Sequence, residues 1–392
     1  MTQGVTVARP TLLMCADWFA PGSRAGGPIR SCVNLVELLN EDVSIKVLTG
    51  DRDLGANAQY SGVRAGAWNN WNGKAAIWYA SRKQHYSGAF LRTVKRVRPD
   101  TIYLNSMFSP CGCVLPLMTQ SIHSNAQIIV APRGMLKPSA MQTRRTKKRI
   151  WLTFLKWSGL NRRVIFHATS NVEAEEIRSS LGAKAKVVVI PNAPCVPPPT
   201  FVPINKKKDH LKLTFVGRIH PIKNLLFVLR LLRNIRFTCS LNVIGPSESP
   251  AYLSECQQEI ADLPDNISVN FAGPVSNEEA ISMVSSSHVM ILPTLGENFG
   301  HSIYESLAVG VPVLISDQTP WRSLEVDRAG WDCDLNEPER FLSILNQVGA
   351  MAQAEYLCWQ QGAHRRAIRF QEEHNLREAY TKLLGGRQGL RE

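Results

Sequence analysis

Two carboxylates eight positions apart, Glu297 and Glu305, fall within the run 293–317, PTLGENFGHSIYESLAVGVPVLISD. Eight positions is a little over two helical turns, so on one continuous helix the pair would share a face. Gly296 and Gly300 argue against a continuous helix. The helix is expected to start near His301 or Ser302, with Glu297 in the loop before it and Glu305 in its second turn. This arrangement suits a polyhydroxylated anion. Carboxylates hold vicinal hydroxyls by accepting paired hydrogen bonds, while backbone N–H groups of 298–301 and the positive helix end receive phosphate or sugar oxygens. Two solvated glutamates near a helix start are the plain alternative.

A second constellation is FVGRIHPIKN at 215–224. Gly217 allows a tight turn at a strand end, and Arg218 with Lys223 places two cations near a helix start. Two fixed cations can neutralise a diphosphate without a metal, although basic residues in isolation are mostly ordinary surface charges. The nearest approaches to a metal-clamping aspartate pair, Asp51-Arg52-Asp53 and Asp332-Cys333-Asp334, read as surface turns. Near the N-terminus, Gly26-Gly27-Pro28-Ile29-Arg30 is either a tight turn or a loop that lets backbone approach phosphate.

These residues need rigid elements to position them. Residues 11–16, 43–48, 101–104 and 126–131 read as strands, with helical patterns between several of them. The grammar restarts at 187–190, 211–216, 240–244, 267–271, 289–292 and 311–315. Strands alternating with helices imply parallel sheets covered on both faces. The Pro-rich 191–199 and the polar 205–209 interrupt the two halves as a linker would. The expected fold class is α/β, with two Rossmann-like doubly wound domains facing a cleft at the carboxyl ends of their strands. The expected divisions are 1–195, a linker at 196–210, a second domain at 211–370 and a helical tail at 371–392.

The run containing Glu297 and Glu305 resembles the E-x7-E signature of the retaining glycosyltransferases of family four (glycosyl transferases group 1), which have the GT-B fold. The resemblance implies that Glu297 contacts the donor sugar and Glu305 the ribose hydroxyls. It further implies that Asn298, Phe299, Gly300 and His301 line the donor, chiefly through main-chain amides. It assigns Gly217, Arg218 and Lys223 to the diphosphate, and Gly26 and Gly27 to a glycine-rich loop after the first strand. Ala131-Pro132-Arg133-Gly134-Met135-Leu136, His167-Ala168-Thr169-Ser170 with Glu173, and Ile190-Pro191-Asn192 also match, so the resemblance runs from about residue 22 to 317. One departure is Arg133, where many relatives have a His that contacts the reacting sugar. Arginine can stabilise phosphate or a hydroxyl but cannot act as a base near neutral pH. On this resemblance 1–195 is the acceptor side, 211–370 binds the nucleotide sugar, and the tail crosses back to the first domain. The chain is then a metal-independent, hexosyltransferase-type enzyme whose nucleotide diphosphate sugar is substrate rather than cofactor. Its acceptor is a saccharide or lipid-linked saccharide of a surface polysaccharide.

Composition sets outer bounds. In 392 residues, 44% hydrophobic and 20% charged side chains are an ordinary globular balance that excludes a largely disordered chain. The 45 Lys and Arg against 32 Asp and Glu leave +13, which favours anionic partners. Nine scattered cysteines offer no zinc spacing and read as reduced thiols. Residues 1–10 lack the layout of an export signal, and no apolar run is long enough to span a bilayer. The expected location is the cytoplasm, peripheral to the inner membrane face. The segment 144–157, RRTKKRIWLTFLKW, has the composition of an anionic-membrane contact. It also fits a core-packed helix with a solvated basic end. No nucleic-acid motif accompanies the charge, so nucleic acid is not an expected partner. Two rivals stay open: a nucleotide-sugar epimerase of the same fold, and a non-catalytic basic membrane or nucleic-acid adaptor.

Overall fold

The computed structural model describes residues 9–85, 88–123, 126–142 and 144–385. Residues 1–8, most of the segment judged above for an export signal, and 386–392 of the tail lie outside them. The chain forms two units: residues up to Ala193 together with those from His374 onward, and Pro194–Glu373.

Unit 1 is built on β1 (Thr11–Cys15), β2 (Ser44–Gly50), β3 (Trp68–Trp71), β4 (Ala75–Ala80), β5 (Thr101–Leu104), β6 (Gln127–Val130), β7 (Ile165–Ala168) and β8 (Lys186–Val189). They form one sheet in the order β3-β4-β2-β1-β5-β6-β7-β8. The central strands are apolar nearly throughout because helices cover both faces; Leu12, Leu13 and Met14 of β1 are all fully buried. The sheet is parallel except at its edge, where β3 runs antiparallel to β4. The Asn72-Gly73 turn makes this hairpin possible, since both residues take positive φ, 52° and 72°. With Trp71 opposite Ala75 the loop is Asn72-Gly73-Lys74, and its reversal at positive φ suits Asn and Gly. The C-terminal helix Leu376–Leu384 belongs to this unit. Tyr380 donates to the Pro191 carbonyl at 2.9 Å, Gln127 Nε2 to the Leu383 carbonyl at 2.8 Å, and Arg377 Nε to Asp42 at 2.9 Å.

Unit 2 contains β9 (His210–Val216), β10 (Thr238–Ile244), β11 (Ile267–Gly273), β12 (Val289–Leu292), β13 (Val313–Ser316) and β14 (Gly330–Cys333). Their order is β11-β10-β9-β12-β13-β14, with every pairing parallel. Chain direction along the sheet reverses between β9 and β12, so a crevice is expected beyond their carboxyl ends. The stretch read as a linker packs on this unit. Lys206 is 3% exposed, with Nζ donating to the Gly349 carbonyl at 3.0 Å, and His364 Nε2 donates to the Pro198 carbonyl at 2.8 Å. Backbone that cannot form helix or strand is held there by side-chain hydrogen bonds running both to it and from it.

Candidate functional site

In unit 2 the site forms where β9 and β12 end. After β9 the chain makes a short turn, Pro221–Lys223, whose first N–H groups are capped by His220 Nδ1 accepting from Ile222 N at 3.2 Å. The loop after β12 is fastened to this turn. Leu295 N and Thr294 Oγ1 both donate to the Ile222 carbonyl, at 2.8 and 2.9 Å. This tie brings Lys223 and Glu297, 74 residues apart, into an ion pair between Nζ and Oε1. Their side chains are 15% and 14% exposed, so the pair is largely removed from water. Removing one partner would leave the other charge uncompensated, which costs more than an exposed pair contributes. Gly217 lies under the lysine stem, with the position of an added Cβ 3.5 Å from Lys223 Cγ.

Arg218 follows a different course. Its Nη1 pairs with Glu248 Oε2 at 2.7 Å, on the segment after β10. Glu248 carries no sequence signal; it arrives because Ile219 N donates to the Pro246 carbonyl at 2.9 Å and so lines up the two segments. Gly245 also lies outside the motifs read from the sequence. Its φ is +140°, and a Cβ there would overlap the Gly217 carbonyl. The dipeptide Gly245-Pro246 at a strand end is the turn signal that could have marked it.

The loop 298–301 is shaped from below. Phe299 is 5% exposed, its ring 5.6 Å from Trp321, 5.7 Å from Phe370 and 4.8 Å from His301. Trp321 Nε1 donates to the Phe299 carbonyl at 2.6 Å. With its ring in the core, Phe299 has only main chain to offer a ligand. Gly300 adopts φ +78°, where an added Cβ would lie 2.7 Å from Ile303 Cδ1, and the helix His301–Ala308 begins at the next residue. Glu305 stands in its second turn, buried to 9% exposure.

In unit 1, Gly26 (φ +62°) precedes the helix Gly27–Leu39, with Pro28 in its first turn. Asp53 holds the loop before it, its Oδ2 accepting from Ser23 N at 2.8 Å and Arg24 N at 3.0 Å. Asp51 is not a surface residue as expected: it is 1% exposed and bound by Arg52 and Gln59. Asp332, in β14, accepts from Leu324 N, and Asp334 accepts from Asn336 N, so each of the four aspartates is engaged by donors of its own unit. Among the described residues no group of three His, Cys, Asp or Glu is arranged to hold a metal ion.

Arg133 stands after β6 with φ +56°. Its Nε donates to Asn105 Oδ1 and its Nη2 to Tyr103 Oη, both at 2.8 Å. Two of its three nitrogens therefore act inside unit 1, where the sequence had suggested a cation presented to substrate. Tyr103 in turn donates to His167 Nδ1 at 2.6 Å, and His167 Nε2 donates to the Ile190 carbonyl at 2.8 Å. Glu173, 1% exposed, accepts from Gly134 N at 2.5 Å and from Thr169 N at 2.7 Å. The matched segments around 133, 167 and 190 are thus one buried polar network.

Burial, helped by the Arg133 charge, pushes the His167 imidazole down to about 3. Burial likewise pushes His288 in unit 2 down to about 4. The unfolded chain, with histidines near 6.5, binds the extra protons, so both contributions are intact above about pH 6.5. They are lost as pH falls toward the folded values, at about 1.4 kcal/mol per pH unit for each histidine. Chemical denaturation should therefore show a clear stability loss between pH 7 and 5. Replacing His167 by Gln should flatten that slope by about one proton. A slope unchanged in His167→Gln would mean that His167 charges readily in the folded state.

Two doubly wound α/β units, the second with a Lys–Glu pair and the E-x7-E helix at its switch point, define a glycosyltransferase of GT-B type. Residues 25–193 match the model described as Glycosyltransferase Family 4, and residues 199–351 the model described as Glycosyl transferases group 1. The chain belongs to this family, the group 1 glycosyltransferases of the family-four kind. Among solved structures it is similar to HepE of Anabaena in complex with UDP and glucose, at 13% identity and TM-score 0.66, covering 96% of this chain and 99% of that one. It is also similar to sucrose-phosphate synthase of Thermosynechococcus elongatus, at 15% identity and TM-score 0.69 over 96% and 99% of the two chains. A third is WaaG, a glycosyltransferase involved in lipopolysaccharide biosynthesis, at 12% identity and TM-score 0.61 over 95% and 99%. No match was found among curated proteins.

Proposed function

We propose that the protein is a retaining, metal-independent hexosyltransferase that takes its sugar from a nucleotide diphosphate donor. The observation that carries this is the Lys223–Glu297 pair beside Gly217 at the ends of β9 and β12. An ammonium already oriented by a carboxylate can turn its remaining N–H groups to a leaving diphosphate, and the carboxylate can accept from sugar hydroxyls. Arg218 is the second diphosphate cation, and Glu305 holds the ribose from the helix beyond. The engagement of all four of these aspartates by donors within their own units supports charge neutralisation by protein cations. Arg133 is a positioning residue of unit 1 in this reading. The UDP named with HepE supports a nucleotide donor. The acceptor is a saccharide or lipid-linked saccharide of a surface polysaccharide, and the reaction runs in the cytoplasm at the inner membrane face. The nucleotide sugar enters as substrate, and no cofactor is proposed beside it.

The direct test is thermal stabilisation of the purified protein by UDP-, GDP- and ADP-sugars, since a ligand bound only by the native state raises its apparent stability. One of the three should raise Tm in a concentration-dependent way; no shift with any of them overturns the donor reading. Glu305→Ala should weaken nucleotide binding by about 1.5–3 kcal/mol, the scale of a charge-assisted hydrogen bond. Titration calorimetry showing wild-type affinity for every nucleotide would remove Glu305 from the site.

A further inference from the structure

The helix Arg145–Trp157 has two faces that behave differently. Its inner face is fixed in unit 1: Leu152 and Leu155 are buried, Trp151 Nε1 donates to the Met107 carbonyl at 3.1 Å, and Trp151 stacks on Phe154 at 5.7 Å. Lys148 belongs to this side too. Its Nζ donates to the Ala140 carbonyl at 2.7 Å and lies 5.1 Å from the Phe108 ring, and burial lowers its pKa. Most of the apolar residues that gave the segment its membrane-like composition are therefore core, and one of the cations is internal.

What remains outside is narrower and more informative. Thr146, Ile150, Thr153 and Trp157 recur at helical spacing and form one stripe opposite the buried face. Ile150 is 65% exposed and Trp157 is 88% exposed. Arg145, Arg149 and Lys156, all exposed, flank one edge of the stripe, and exposed Lys147 flanks the other. The helix contains no acidic residue. An exposed indole between cations costs solvation in water but suits the headgroup level of an anionic bilayer, where ring and Ile side chain insert and the guanidinium groups meet phosphate.

We infer that this stripe docks the enzyme on an anionic membrane, with Ile150 and Trp157 inserted and Arg145, Arg149, Lys147 and Lys156 on the lipid phosphates. The inference deepens the lipid-linked acceptor of the proposed function and rests on it for its purpose, though not for its geometry. Charge complementarity selects the membrane: a second copy would bring the same cations against themselves.

The test is co-sedimentation of the full chain with phosphatidylcholine vesicles, with and without phosphatidylglycerol. Wild type should partition onto the anionic vesicles only. Arg145→Ser with Arg149→Ser should weaken partitioning roughly twenty-five-fold, about five-fold for each charge near the surface, and Trp157→Ser about ten-fold. Lys148→Ser, being internal, should lower Tm and leave partitioning of the folded protein within two-fold. Equal sedimentation of the outer-face variants and wild type overturns the inference. So does loss of a dimer in Trp157→Ser, which would give the face to a second copy, or binding to a DNA or RNA oligonucleotide in place of vesicles. Affinity for whichever of UDP, GDP and ADP the wild type binds should be unchanged in these variants; no binding of any of the three with intact partitioning would sink the donor reading and leave this one standing.

Discussion

Lys223→Ala is expected to lower kcat by about 10²-fold or more, the scale of removing one preorganised charge stabiliser. The Lys223 ammonium is held by Glu297 and its stem lies along Gly217, so it is in place before any charge develops on a departing diphosphate. Preorganisation matters because no reorganisation energy is then needed at the moment of reaction. The loss should fall mainly in kcat, with KM for the donor changed less, because the diphosphate becomes more negative as it leaves. Lys223→Arg should recover only part of the rate, since a planar guanidinium cannot occupy the position of a compact ammonium. Chelation by EDTA should leave wild-type turnover nearly intact. Steady-state kinetics decide the matter. Turnover abolished by EDTA and restored by Mn²⁺ or Mg²⁺ would overturn the cation-only account, as would near-wild-type kcat in Lys223→Ala.

The second large effect is expected from Gly245→Ala, a change of one methyl group outside the resemblance motifs. At φ +140° the backbone of residue 245 is in a region that side chains rarely adopt, and the added Cβ would overlap the Gly217 carbonyl. Both segments are strand ends joined by the hydrogen bond from Gly217 N to the Ile244 carbonyl at 2.9 Å, so neither can yield alone. Backbone strain and overpacking together should cost about 2–4 kcal/mol. For a unit of this size that is a Tm decrease of roughly 5–15 °C. Because Gly217 bears on Lys223, nucleotide affinity measured well below Tm should fall as well. Gly273→Ala is the control: it too has positive φ, +70°, but nothing lies within 4 Å of its added Cβ. It should cost only about 1–2 kcal/mol and leave nucleotide affinity alone. A Gly245→Ala protein with wild-type Tm and affinity would show that the two strand ends move apart easily.

Much of this architecture is legible in the sequence because its signals are local. The apolar runs at 101–104 and 289–292 coincide with β5 and β12, since a central parallel strand buries both faces and needs no partner to declare itself. Gly300 marks the start of the helix His301–Ala308, because a positive φ at the cap position favours glycine. The edge hairpin is less legible, although Asn72-Gly73 marks its turn, because β3 reads Trp-Asn-Asn-Trp and shows no apolar run. Composition at 144–157 does not show which of its side chains lie outside. Which face of a helix is buried depends on what the rest of the chain brings against it, here the Met107 carbonyl and the Phe108 ring.

By itself, then, the sequence determines the strand and helix grammar, the glycines at turns and the identity of the charged groups. The partners of those groups are a tertiary matter. Glu297 and Lys223 meet because the loop after β12 hydrogen-bonds to the Ile222 carbonyl, and Arg218 meets Glu248 because the ends of β9 and β10 run side by side. Arg133 turns toward Asn105 and Tyr103 because β5 and β6 are neighbours in the sheet. Charge and hydrogen bonding act over a few ångströms of space regardless of separation along the chain. Only the order of strands in each sheet decides which residues come within that range.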